Sequence, residues 1–141
     1  MDKTEARNLA LTKMDEFGLL DEGWGFKFSK SKSAAGTCYH RKKLITISEP
    51  YVELNSREDI LNTILHEIAH ALLPSYVHHN DTWKNLFIHI GGNGSRTHSL
   101  IQPKGKYSYV CPSCKERHEQ YRGKPKVYLC GLCKGVRLQL I

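Results

Sequence analysis

The sequence predicts an α+β protein: helices around a small three-stranded sheet, followed by a small β module too short to build a core of its own. Three observations lead there. Residues 60–72 repeat apolar side chains at helical spacing around the pentapeptide His66-Glu67-Ile68-Ala69-His70. Residues 24–48 alternate apolar and polar side chains between turn signals. Two Cys-x-x-Cys pairs, Cys111/Cys114 and Cys130/Cys133, stand fifteen residues apart toward the end of the chain.

The elements follow in order. Ala6, Leu9, Ala10, Lys13/Met14 and Phe17 recur near the helical period over 4–17, and Gly18 is a natural stop. Trp24, Phe26 and Phe28 alternate with Gly25 and Lys27, as in a half-buried strand. After a turn-rich stretch, residues 37–41 and 44–48 read as two more strands joined at Lys42-Lys43, so the first half is expected to be a helix followed by a meander. Ser56, with Asp59 three residues on, opens the central helix. Ile60, Leu61, Ile64, Leu65, Ile68, Ala69 and Leu72 form its apolar side, and Pro74 closes it. Asn80 or Asp81 caps a further helix that buries Trp83, Leu86, Phe87 and Ile90, and Gly91-Gly92-Asn93-Gly94 ends it. Residues 95–106 read as a linker, and 127–129 and 136–140 as strands of the terminal module. The expected domains are 1–98 and 99–141.

Composition narrows the class. With 141 residues, 40% hydrophobic and 25% charged, the chain can fold one domain with a real core plus an appendage. The polar start carries no secretory pattern, and no apolar run reaches the length of a bilayer span. An intracellular, cytoplasmic protein with no membrane partner is expected. In that setting the paired cysteines read as a zinc site and not as disulfides. Cys38, left over in a strand, reads as a small buried hydrophobe. The net charge of +7 is uneven. Residues 99–141 hold nine basic and two acidic side chains, and residues 1–98 are neutral. Four thiolates and one Zn²⁺ would lower the terminal excess to about +5, still attractive to a polyanion.

The pentapeptide is the chemical centre. On a helix, His66 and His70 lie about 40° apart and can share one metal, on the side opposite the Ile64/Ile68/Leu72 row. Glu67 then stands beside the metal, in reach of a water whose proton it can take as the water attacks a carbonyl. This is the zincin arrangement, and it needs a third ligand. A Gly three residues and a His six residues past the second His would supply one, but Leu73 and Tyr76 stand there. A Glu from the next helix is excluded too, because the next Glu after Glu67 is Glu116. His78, His79, Asp81, His89 and His98 remain. His79 precedes the capped helix, where a loop can fold back over the His66/His70 face; His78 beside it would point elsewhere; His89, next to Ile90, reads as structural.

The four cysteines form two knuckle-like turns, Cys111-Pro112-Ser113-Cys114 and Cys130-Gly131-Leu132-Cys133, which together make a closed tetrahedral site, so this second zinc is structural. Around it Tyr107, Tyr109, Tyr121 and Tyr128 interleave with basic residues. Tyrosines that cover a thin core and tyrosines that stack on unpaired bases both fit this pattern. Lys104, Lys106, Arg117, Arg122, Lys124 and Lys126 are the candidate nucleic-acid contacts.

Taken in order, His66-Glu67-x-x-His70, His79-x-x-x-Trp83, Arg96-Thr97-His98 and the four-cysteine ribbon resemble the SprT-like family, whose eukaryotic members include the Spartan proteases. Trp24-x-Phe26-x-Phe28, Gly36-x-Cys38-Tyr39 and Leu44-Ile45-x-Ile47-Ser48 resemble the strands before that family's active-site helix, so the likeness runs over roughly 20–141. It implies a minimal zincin-like metalloprotease domain followed by a β zinc ribbon, with His79 as third ligand to a catalytic zinc. It also implies cleavage of proteins crosslinked to DNA, with DNA, of single-stranded character, and DNA-bound proteins as partners. The ubiquitin- and clamp-binding segments of eukaryotic members have no counterpart in these residues, so those partners are not implied. The leading expectation is a DNA-associated zinc metallopeptidase with Glu67 as general base; His98 and Arg96 are candidates for stabilising the oxyanion. A metal-dependent hydrolase of another substrate, such as a nuclease, and a zinc-stabilised nucleic-acid-binding adaptor are the alternatives.

Overall fold

The computed structural model describes residues 1–121, 127–131, 133 and 135–141. They fall into two compact units, Met1–Ile101 and Gln102–Ile141. Among the described residues no helix is long and apolar enough to cross a membrane.

The first unit opens with helix α1 (Lys3–Glu16), capped by Asp2, whose carboxylate accepts from the Thr4 N–H at 2.6 Å. Its buried face is Ala6, Leu9, Ala10 and Met14. Gly18, at φ +78°, reverses the chain as the sequence predicts. Strands β1 (Gly25–Ser29), β2 (Gly36–Tyr39) and β3 (Leu44–Ser48) form one sheet. A meander would place them in chain order, but the observed order is β1-β3-β2, with β1 parallel and β2 antiparallel to β3. The cause lies in β3. Ile45, Thr46, Ile47 and Ser48 are buried in succession, so β3 has no face to leave in water and takes the centre. The Ser31–Ala35 connection is fastened to the end of β3, where Ser48 donates from Oγ to the Ser31 carbonyl (2.6 Å) and from N–H to the Ala35 carbonyl (2.9 Å).

A short helix, α2 (Glu49–Leu54), follows directly, capped by Ser48 and with Pro50 in its first turn. Helix α3 (Arg57–Ala71) carries the pentapeptide. Ser56 caps it, accepting from the Asp59 N–H and donating to the Asp59 carboxylate. Ile60, Ile64, Leu65, Ile68 and Ala69 are buried as expected. So are Thr63, Glu67 and Ala71, one turn apart on another side of the helix. A 3₁₀ turn (Ser75–Val77) leads to α4 (Asp81–His89), where Asn80 accepts from the Trp83 N–H at 3.2 Å, and Trp83 and Phe87 are buried.

In the second unit, β4 (Tyr107–Val110) lies between β5 (Arg117–Gln120) and β6 (Gln139–Leu140). Residues 127–129, expected as a strand, contribute only the isolated bridge Leu129–Arg137. Among the described residues the unit's buried hydrophobic core is Tyr109, Cys111, Cys130 and Leu138.

Candidate metal centre and active site

Three histidines converge in the first unit. His66 and His70 lie one turn apart on α3, with ring centroids 5.0 Å apart. His79 arrives from the loop before α4, its Nε2 3.2 Å from that of His66 and 3.0 Å from that of His70. The backbone turn is made at His78, whose φ of +54° costs about 1–3 kcal/mol for a residue with a β-carbon. Trp83 lies against all three imidazoles: it stacks on His70 (5.1 Å, 18°) and meets His66 and His79 edge-on at 4.7 and 4.6 Å. Its indole N–H points to the His66 carbonyl at 3.4 Å.

This donor set fits zinc. Three nitrogens at about 2.0–2.1 Å from one metal are separated by a tetrahedral edge of about 3.3 Å, close to the spacings above. Burial, and after it the neighbouring histidines, lower His66 to about 3 and His70 to about 4. His79 is lowered as well, by burial and then by Arg96 and His78. All three are therefore neutral at neutral pH, the form that ligates a metal. Of the other candidates, His78 and Asp81 are exposed outside the cluster, and His98 sets its ring edge against Tyr51 at 5.5 Å. His89, expected to be structural beside Ile90, is exposed at the end of α4, because the helix turns that position away from Phe87.

Glu67 is 7% exposed and its Oε1 lies 4.0 Å from His66 Nε2. Burial raises its carboxyl to about 8. Strand β2 passes close over it. A Cβ built on Gly36 would lie 3.1 Å from Glu67 Cγ and 3.3 Å from Oε1, so only glycine leaves this carboxylate its place unchanged. Cys38, also on β2, is half-buried and pushed up to about 12 by burial and then by the Glu67 charge, so its thiol stays protonated. Two cavities, of about 200 and 480 Å³, share Gly36, His66, Glu67 and His79.

No motif or spacing in the chain points to His40. Its Nε2 lies 2.7 Å from the His70 carbonyl and 2.9 Å from that of Leu73, so the β2–β3 turn caps the last turn of the helix that carries His66 and His70. Its ring rests edge-on against Trp24 at 5.8 Å. In the basic run Tyr39-His40-Arg41-Lys42-Lys43 only its long-range partners distinguish it. His40→Ala is expected to weaken binding of the less tightly held zinc by about tenfold, read by competition with a chromophoric chelator.

In the second unit, Cys111, Cys114, Cys130 and Cys133 bring their sulfurs together, with Cys114 and Cys130 3.7 Å apart. The edge of a zinc–thiolate tetrahedron is about 3.75 Å. Both knuckles turn at positive φ, at Lys115 and Gly135. The Cys111 N–H donates to the Glu116 carbonyl and the Cys130 N–H to that of Val136. N–H groups of Cys114 and Ser113 aimed at Cys111 lower its thiol, while the hydrogen bonds shared among the sulfurs push that of Cys114 up. Tyr109 and Tyr128 pack on one another at 5.1 Å, in favour of the core-covering role for these two. Lys104 and Lys106 are exposed. Arg117 is engaged by Glu119 at 2.6 Å, which compensates its charge. Arg122, Lys124 and Lys126 lie outside the described residues.

A model of the SprT-like family matches residues 7–102. The chain is similar to Protein SprT-like of Lactococcus lactis subsp. lactis (strain IL1403), 34% identical over 83 residues, or 55% of this chain and 56% of the relative. It is 25% identical to Protein SprT-like of Bacillus cereus (strain AH187) over 114 residues, 76% and 75% of the two chains. To that of Bacillus subtilis (strain 168) it is 26% identical over 100 residues, 64% and 65%. The match thus spans little more than half the length of the Lactococcus relative.

Proposed function

Because this chain belongs to the SprT-like family, we propose that it is a zinc-dependent metallopeptidase acting on DNA-associated proteins. His66, His70 and His79 hold the catalytic metal, and Glu67 is the general base. Residues 1–98 do the chemistry, and residues 99–141, with a structural zinc on the four cysteines, tether the enzyme to DNA. One observation carries the reading: the His79 Nε2 lies 3.2 Å from that of His66 and 3.0 Å from that of His70, beside a buried carboxylate.

Zinc at such a site polarises a peptide carbonyl and acidifies water. The rest falls to the chain. Glu67 takes the proton of the attacking water and returns it to the departing amine. In the metal-free protein its burial favours the protonated carboxyl, and a zinc ion beside it would draw it back toward the carboxylate that a base needs. Trp83 and His40 hold the imidazoles and the end of α3 in place. Strand β2 is the edge of its sheet and lines both cavities, so its backbone is available to pair with an extended peptide. The basic excess of residues 99–141, with Lys104 and Lys106 exposed, supplies attraction for phosphates.

The test uses one protein presented three ways: crosslinked to single-stranded DNA, crosslinked to duplex, and free. Cleavage is expected on the single-stranded conjugate first, abolished by a zinc chelator and by His79→Ala, which should also lower the zinc content from two per chain to about one. Cut DNA with intact protein would identify a nuclease instead. DNA binding with no cleavage of any substrate would identify an adaptor.

A further inference from the structure

The smaller cavity has a wall that neither the metal ligands nor Glu67 form. It is lined by the small Ala34-Ala35-Gly36 stretch, by Thr63, His66 and Glu67 of α3, and by the segment Ser95-Arg96-Thr97-His98. That segment belongs to no helix or strand, yet it is tied down at both ends by side-chain amides. Asn62 on α3 accepts from the Asn93 N–H at 2.9 Å, and Asn93 in turn accepts from the Ser95 N–H at 2.9 Å. Beyond it, Asn55 accepts from the Ile101 N–H at 2.8 Å and donates to the Ile101 carbonyl at 3.0 Å. Between these ties Ser95 Oγ donates to the Thr97 carbonyl, His98 Nδ1 accepts from the Leu100 N–H, and the His98 ring rests on Tyr51. Three asparagines, Asn62, Asn93 and Asn55, thus suspend a strap beside His66 and Glu67.

Arg96, an exposed residue of this strap, lines the cavity, and its charge lies close enough to act on His79 in the same lining. No described acidic side chain forms an ion pair with it, and the one carboxylate lining the cavity, Glu67, is buried and already assigned. A guanidinium in a cavity wall without a counter-charge selects an anion, and its planar fork matches a carboxylate with two parallel hydrogen bonds. We infer that Arg96 makes this cavity a subsite for an acidic side chain, Asp or Glu, next to the cleaved bond of the substrate. The inference rests on the metallopeptidase reading and names the substrate class that reading leaves open. The cavity shares Gly36, His66 and Glu67 with its larger neighbour, so its occupant is continuous with a peptide lying along β2. At about 200 Å³ it has room for one side chain of that size.

The test is a charge exchange. Three fluorogenic peptides differ only in carrying Glu, Gln or Lys beside the cleaved bond. Zinc-loaded full-length protein should cleave the Glu peptide with a kcat/KM about tenfold above that of the Gln peptide. Arg96→Glu should reverse the order and favour Lys, Arg96→Gln should level it, and Arg96→Lys should keep a reduced preference. A binding arm follows the same peptides by fluorescence anisotropy with zinc-loaded Glu67→Gln protein, with and without Arg96→Glu, so the preference is read without turnover. Equal ratios in wild type and Arg96→Glu, in both arms, would overturn the inference. So would a loss of DNA affinity in Arg96→Glu with peptide preference unchanged, which would make Arg96 a phosphate contact. Absence of cleavage with the binding preference intact would instead count against the metallopeptidase reading alone.

Discussion

Glu67→Gln is expected to abolish proteolysis while leaving two zincs bound per chain. The amide keeps the shape of the side chain under Gly36, where there is no room for a bulkier one, but it cannot take a proton. Loss of a positioned general base lowers turnover by about 10²–10⁴-fold. Zinc content by atomic absorption and cleavage of the DNA-bound substrate read the two halves of the result. Full activity with both zincs present would remove Glu67 from its role. The same substitution should have the opposite effect on the metal-free fold. Burial raises the Glu67 carboxyl from 4.5 to about 8, while the unfolded chain keeps an ordinary carboxylate. Between those pH values the folded state holds a proton that the unfolded state has released, so stability falls as pH rises. Gln carries no such penalty. Zinc-free Glu67→Gln should therefore gain on zinc-free wild type from pH 5 to pH 8, by an amount on the order of a few kcal/mol. Both tryptophans, Trp24 and Trp83, belong to the first unit, so indole fluorescence reports its unfolding alone. A gap between the two proteins that does not change with pH would mean that the carboxyl does not titrate in that window.

What could be read in the sequence was local in origin. Ser56 and Asn80 cap their helices because a hydroxyl or amide next to free N–H groups is a short-range matter, and the four-residue spacing of His66 and His70 is fixed by helix geometry. The Cys-x-x-Cys knuckles are local in the same sense. Strand order was not legible. Alternation places residues on faces but says nothing about which strand takes the centre, and only the burial of β3 on both sides explains β1-β3-β2. Helix α2 lay hidden behind Pro50, which reads as a breaker although proline suits a first helical turn. Strand β5, Arg-His-Glu-Gln, has no apolar residue to alternate. The surroundings of the histidines were the least legible part. His40 meets α3 across thirty positions and Asn55 meets Ile101 across forty-six, and neither leaves a pattern in the chain. The SprT-like resemblance implied His79 through its spacing to Trp83; the structure shows the physical content of that spacing, an indole set against three imidazoles.

Cys111→Ser is expected to unfold the second unit and leave the first intact. Among the described residues of Gln102–Ile141 the buried hydrophobic core is Tyr109, Cys111, Cys130 and Leu138, so half of it is cysteine of the candidate metal site. Around so little apolar surface, the hydrophobic effect cannot offset the entropy of ordering the chain. Zinc on four thiolates contributes on the order of 10 kcal/mol to folding such a module. Serine removes one thiolate and opens the closed site, and the hydrogen bonds that shape the two knuckles, from Cys111 to Glu116 and from Cys130 to Val136, lose the anchor that brings them together. Zinc should fall from two per chain to about one, and limited proteolysis should cut beyond Ile101 while the tryptophan-monitored unfolding of the first unit stays unchanged. Affinity for single-stranded DNA should fall, and its dependence on salt should flatten as phosphate contacts are lost. Peptide substrates without DNA should be cleaved as before, because both cavities at the histidines are lined by residues of the first unit. Loss of peptide cleavage together with DNA binding would mean that the ribbon is part of the catalytic machinery and not a tether. A protein that keeps two zincs and resists the protease would show that three cysteines are enough to hold the metal.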